Sequence, residues 1–420
     1  MTTRASLRLR YHGGITRLLA TIWLSMSGCS VVLPASSAPF SCSDGACPSR
    51  YVCREALCVP EGAPAPPLAI GAQADGEGAE LLWNGAAFAV VWQANGAAVP
   101  GLHLSTLDVM ADPRVASDEL LSGPQPGSVA FTALYHPGGN AYVVAERANS
   151  DSGASLRVSA QPIGGVPAVL YADPEPYTPV GFGNPALCID GPKRVTLAVT
   201  FAAPPAVVAH NGHCLSLDLS GATSPIDCTP ASLRASPEDV SDMWLAQDAT
   251  VRLVMWRAAS MHFSYEQGNT EVGSTVVDPI VRIVRAVAAK GADGVAIGAA
   301  AFQLRDSSDD AAYSVWGGQL KDFSTTYASG LTVSSVGLAP DVAFADGGFV
   351  TCILDHDGEL SLQRRDASGA ATSTATVHRI ARAPITSCRL AGGAPGQVGV
   401  LWSEIEPPAD RRLYFSVVTP

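Results

Sequence analysis

Ten of the 420 residues are cysteine, and their spacing is the first feature of the chain that invites chemistry. Cys42, Cys47, Cys53 and Cys58 stand in a C-x4-C-x5-C-x4-C order between Phe40 and Pro60. A segment that short cannot bury a hydrophobic core, so covalent cross-links must hold it. Three pairings are open. The interlaced one, Cys42–Cys53 with Cys47–Cys58, is the pattern of small extracellular knots and is favoured. Each bond would close a loop of about a dozen residues and contribute roughly 3 kcal/mol on the chain-entropy model. Zinc is the competing chemistry, but zinc modules use tighter cysteine pairs, and thiolates rarely persist outside a reducing cytosol.

Five more cysteines lie further along, Cys188, Cys214, Cys228, Cys352 and Cys388. Cys214 and Cys228 flank a hairpin that turns near Gly221, which suits a disulfide if the geometry allows. Cys352 and Cys388 fall on strands of neighbouring units and form a second candidate pair. Cys188 is then left over as a small buried apolar residue. A Cys188–Cys214 bond is an equally fair alternative. None of the five needs to be catalytic.

Acidic side chains gather in short polar connections: Asp306, Asp309 and Asp310, then Asp355 and Asp357, then Glu404, Glu406 and Asp410, with Glu146 and Asp151 near an earlier one. Clustered loop carboxylates suit Ca²⁺, which takes oxygen ligands, and attract cationic ligands. Asp355-His-Asp-Gly358 is short of a full calcium loop, and Asp-Gly is also ordinary turn chemistry. No other catalytic signature accompanies these acids. The eight histidines are scattered, and neither H-E-x-x-H, G-x-S-x-G nor a phosphate-cradling glycine loop occurs.

The tenth cysteine, Cys29, ends a distinctive leader. Residues 1–17 carry Arg4, Arg8, Arg10 and Arg17 and no acid, and a short apolar run extends from Leu18 to Met26. That order describes a secretory signal, and the run is too short for a stable transmembrane span. Met26-Ser27-Gly28-Cys29 resembles the lipobox of bacterial lipoproteins, with Met26 where that family usually has Leu. The resemblance implies cleavage before Cys29 and acylation there, with a palmitate-type chain on the new amino terminus. Each buried methylene contributes about 0.8 kcal/mol, so several chains anchor durably. Ser30 stands where an inner-membrane retention signal of that family would have Asp, which implies the outer membrane. The four-cysteine segment resembles short cysteine-rich modules placed after the lipobox in lipoproteins of the myxobacterial type. Residues 29–39 would be a tether, 40–60 the disulfide module, and 61–67, with Pro64, Pro66 and Pro67, a semi-rigid linker.

Composition sets further bounds. Setting aside the four arginines of residues 1–28, 22 basic residues face 38 acidic ones, a net charge of −16. Such a body repels phosphate backbones and excludes nucleic acid as a partner. Hydrophobic residues make up 47% of the chain and charged residues 15%, enough apolar surface for a large core.

The frame that holds these residues has to come from the long segment after the linker. Helix signals are scarce from residue 68 onward. Short apolar runs recur between Gly, Pro, Asn and Asp, an all-β pattern. Seven similar runs start at Phe88, Tyr142, Val195, Val251, Val295, Phe349 and Val398, in steps of 54, 53, 56, 44, 54 and 49 residues. A step of about 50 residues is the size of a four-stranded propeller blade. Ala339–Gly348 and Thr386–Gly393 each read as an inner strand and glycine turn before the apolar strand. The seventh unit stops after its third strand, so residues 67–71 are expected to supply the fourth and close the ring, which removes exposed edges. The expected fold is a seven-bladed β-propeller over 68–420, with six or eight blades or packed β-sandwiches as alternatives. The expected function is a lipid-anchored, non-catalytic binding or scaffold module for a glycan or protein ligand. An extracellular polysaccharide-cleaving propeller using paired carboxylates is the alternative.

Overall fold

The computed structural model describes residues 40–41, 51–54 and 57–60, and from 67 to 420 all except 74–77, 95–98, 110–113, 124–128, 151–152, 173–184, 203–209, 227–241, 249–250, 258–260, 268–269, 278–279, 291–294, 305–311, 323–330, 334–339, 355–358, 369, 380–384 and 407–409. The chain divides into two compact units, Met1–Ala63 and Pro64–Pro420.

In the first unit, Phe40–Ser41, Tyr51–Arg54 and Leu57–Pro60 form a three-stranded antiparallel sheet with the last strand in the middle. The hairpin register sets Cys53 opposite Cys58 along the backbone. Cys42, Cys47 and the sulfur positions lie outside the described residues, as does Cys29.

The second unit is a seven-bladed β-propeller. Each blade is a four-stranded antiparallel sheet whose strands are lettered A to D in chain order. Blades one to six span 79–122, 129–172, 186–226, 242–277, 280–333 and 342–379. Blade seven takes A to C from 385–418 and its outermost strand from Leu68–Gln73, which pairs with Asp410–Val418. The ring therefore closes by the N-terminal strand, as the missing fourth strand predicts. All seven apolar runs singled out by spacing are B strands.

The core explains why those runs read as continuous rather than alternating. Among the described residues there are seven hydrophobic clusters, one between each pair of successive blades around the circle. A B strand is covered on both faces, so its odd and even residues feed two different clusters. Phe88, Val90 and Trp92 pack toward blade seven, and Ala89 and Val91 toward blade two. Burying a large side chain of this kind contributes about 1.5–3 kcal/mol. The tryptophans of the B strands, Trp92, Trp256 and Trp402, are core residues at 5%, 2% and 0% exposure.

The A strands touch their neighbours in an unbroken ring from blade one to blade seven and back. They line the axis. The A–B and C–D turns lie at one end of the ring, and the B–C connections at the other.

Candidate ligand face and the axial charge group

The axis is where a propeller most often offers a deep site, and here it carries charge. Glu80 lies on the A strand of blade one, Ala79–Trp83, and Arg285 on the A strand of blade five, Ile280–Lys290. Blades one and five are not neighbours. Even so, Arg285 Nη1 donates to Glu80 Oε2 at 2.5 Å, across the axis. Asp341, just before the A strand of blade six, sets Oδ1 3.6 Å from Arg285 Nε. Its Oδ2 accepts the Leu390 N–H of blade seven at 2.7 Å. Arg389 of blade seven donates from Nε to the Ala79 carbonyl at 3.1 Å. The group thus ties blades one, five, six and seven together.

Burial pushes the Asp341 carboxyl up from its ordinary value, and the positive charges of Arg285 and Arg389 offset this only in part. Burial also works against the Arg285 charge, but Glu80 and then Asp341 outweigh it and hold the guanidinium protonated far above the working range. A charged residue inside an apolar inner strand is a signal that a partner must exist. Glu80 within Ala79-Glu-Leu-Leu-Trp83 and Arg285 within Ile280-Val-Arg-Ile-Val-Arg285 both carry it, and sequence reading passed over them.

The loop acids read from sequence fall where the topology places the B–C connections. Asp306, Asp309 and Asp310 belong to the link between Ala296–Leu304 and Ala312–Gln319, and Asp355 and Asp357 to the corresponding link of blade six. All five lie outside the described residues. Glu404 is a correction. It belongs to the B strand Val398–Glu406, not to a loop, because the ladder continues through Glu404↔Arg412 to Glu406↔Asp410. Its side chain is buried, and Oε1 accepts the Trp402 indole N–H at 2.7 Å. Glu146 is likewise on a B strand and buried, and Oε2 accepts the Ser122 hydroxyl of blade one at 2.9 Å. Among the described residues no three His, Cys, Asp or Glu side chains come together as metal ligands.

A serine, a histidine and an aspartate do meet in blade one, and sequence reading gave no hint of it. Ser105 donates to Asp118 Oδ1 at 2.7 Å and receives the Trp92 indole N–H at 2.8 Å. His103 Nδ1 lies 3.0 Å from Asp118 Oδ2, and Nε2 lies 2.8 Å from the Val99 carbonyl. A nucleophilic triad needs the serine on the histidine. Here the aspartate separates them and Ser105 is fully buried, so the network braces strands B, C and D.

The disulfide expected between neighbouring blades is present: Cys352 on the B strand of blade six bonds Cys388 on the A strand of blade seven, with Cα atoms 6.7 Å apart. Cys214 is disulfide-bonded, and Cys228 lies outside the described residues. The alternative Cys188–Cys214 bond is overturned. Cys188 stands opposite Thr196 on strand B and Cys214 opposite Ala198 on the same strand, so B separates the two. Two strand spacings of about 4.8 Å exceed the Cα reach of a disulfide. Cys188 is a thiol, its pKa pushed up to about 12 by burial.

No protein-family model and no curated protein sequence matches the chain. Solved structures do. The BP39L lectin of Burkholderia pseudomallei is 12% identical, with a TM-score of 0.51 over 84% of this chain and 95% of the lectin. A protein of unknown function from Dyadobacter fermentans is 12% identical, with a TM-score of 0.43 over 70% of this chain and 96% of its own. A subtype N10 neuraminidase-like protein of A/little yellow-shouldered bat/Guatemala/060/2010 is 7% identical, with a TM-score of 0.38 over 80% of this chain and 93% of its own. At 12% identity the likeness to the lectin is one of fold alone.

Proposed function

We propose that this protein is an exported lipoprotein, acylated at Cys29 and held at the outer membrane, that displays a rigid propeller as a non-catalytic binding or scaffold module. The four-cysteine segment and the proline linker serve as its stalk. The observation that carries the binding reading is the axial group of Glu80, Arg285 and Asp341. Charged side chains from blades one, five and six pair with one another across the axis, which supports a bracing role for them and leaves the ends and sides of the ring as the surfaces proposed for a partner. Buried Glu146 and Glu404 each hold a neighbouring donor, which supports a bracing role for those acids. The loop acids Asp306, Asp309, Asp310, Asp355 and Asp357 remain the proposed cation face, with Ca²⁺ as the ion of choice.

The test is a glycan-array screen and a calorimetric Ca²⁺ titration on the full-length protein in detergent, with a parallel panel of polysaccharides assayed for cleavage. Saturable binding of a glycan without new reducing ends or unsaturated sugars is the expected result. Catalytic release of such ends would replace the binding reading with an enzymatic one.

A further inference from the structure

The A–B and C–D turns of blade six enclose a hollow of about 420 Å³, rimmed by Asp346, Arg364, Arg365, Asp366, Thr372 and Ser373. It lies at the end of the ring opposite the B–C connections. Its lining is unusual for two adjacent strands. Successive side chains on a regular strand point to opposite faces, so neighbours in sequence do not normally share a rim. Here the ladder slips: Arg364 faces Ser373, but Arg365 faces Ala371, and Thr372 is the extra residue of a bulge. The bulge sets Thr372 and Ser373 together beside Arg364 on one rim, a recurrent use of bulges, while the Arg365 side chain turns to the other face of its strand, where Nη2 donates to Gln363 Oε1 at 2.5 Å.

The donors and acceptors of the hollow are unequal. Asp366 Oδ1 already accepts the Ser368 N–H at 2.9 Å, the Ser368 hydroxyl at 2.6 Å and the Ala370 N–H at 3.0 Å. Asp346 Oδ2 accepts the Gly396 N–H of blade seven at 2.9 Å and lies 3.5 Å from Arg364 Nη2. One oxygen of each carboxylate is therefore engaged. Arg364 is anchored through Nη2 alone, which also lies 3.4 Å from the Asp346 carbonyl. Its Nε and Nη1 have no protein acceptor among the described residues. Ser373 adds an exposed hydroxyl, whereas the Thr372 hydroxyl donates to the Arg364 carbonyl at 3.3 Å.

We infer that this hollow is an oxyanion site, taking the carboxylate, sulfate or phosphate group of a small ligand or an acidic saccharide through the Arg364 guanidinium and the Ser373 hydroxyl. The planar guanidinium fork suits such groups bidentately. The site is remote from the B–C connections, so it stands or falls independently of the cation face proposed above.

The experiment is calorimetric titration of the full-length protein at low ionic strength with inorganic phosphate, sulfate and glucuronate, with glucose as the neutral control. One-site, saturable binding of at least one anion and none of glucose is expected. Arg364→Gln should weaken it on the order of tenfold and Ser373→Ala about threefold, in proportion to the charged and neutral hydrogen bonds removed. Binding of phosphate or sulfate alone identifies a tetrahedral ester as the group, and binding of glucuronate alone identifies a uronic acid. Absence of all anion binding, or unchanged affinity in Arg364→Gln, overturns the assignment. Should Arg364→Gln fail to fold, unchanged affinity in Ser373→Ala overturns it instead.

Discussion

Gly71 lies directly opposite Leu413, joining a strand that precedes the first blade to the third strand of the last. The two residues are 342 positions apart, and their pairing is what makes the body a ring. The same glycine is pressed against blade one: a Cβ at Gly71 would stand 2.5 Å from the Trp92 ring. The closing strand thus pairs with blade seven and packs on the B strand of blade one.

Gly71→Ala should cost about 1–3 kcal/mol, because Trp92 is buried and cannot retreat without disturbing its neighbours. Removing residues 67–73 should be worse, since it exposes the edge of Asp410–Val418. Thermal melts and size-exclusion chromatography check both. We expect a lowered melting temperature for the point variant and aggregation for the deletion.

The axial pair makes a second prediction. Arg285→Met strands Glu80 and Asp341 in a dry setting and should destabilise by roughly 3 kcal/mol, within the range for breaking a buried pair. Arg285→Met combined with Glu80→Leu should recover part of that loss. Urea unfolding of the three proteins gives the comparison.

Asp341 has a pH signature of its own. Its folded pKa lies above the unfolded value because of burial, so its ionisation opposes folding at any pH above the folded value. As the pH falls through that value the folded carboxyl protonates first, and the penalty disappears. Asp341→Asn keeps an oxygen to accept the Leu390 N–H without the charge. The variant should be at least as stable as wild type at neutral pH, with the difference shrinking on acidification. Urea midpoints measured from neutral pH to mildly acidic pH test this, and a variant that gains relative stability as the pH falls would refute it.

The Cys352–Cys388 bond spans 36 residues and joins blade six to blade seven. The chain-entropy model puts its contribution at about 4 kcal/mol. Replacing both cysteines by alanine should lower the melting temperature, and dithiothreitol should have no further effect on that bond's contribution in the double variant.

How far the sequence could be read depends on where each residue's partner lies. The B strands were legible because both faces are covered, which leaves unbroken apolar runs such as Phe88-Ala-Val-Val-Trp92. The closing strand was legible because the last unit is one strand short. The Cys352–Cys388 bond could be read from their positions on adjacent B and A strands. The axial group was not legible, because Glu80 and Arg285 are 205 residues apart and only the ring brings them together. Glu404 was read as a loop residue because acids usually end strands, whereas Trp402 gives this one a buried donor. The oxyanion hollow depends on a one-residue slip at Thr372, which no periodicity announces.

Display at the cell envelope rests on what happens at Cys29, and the decisive measurement is intact-mass and peptide mass spectrometry of the protein purified from envelope membranes. A mature chain beginning at Cys29 is expected, carrying diacylglycerol on sulfur and a further acyl chain on nitrogen, with residues 1–28 absent. A chain that retains those residues, or a Cys29 thiol open to alkylation, would contradict lipid anchoring and with it the proposed display.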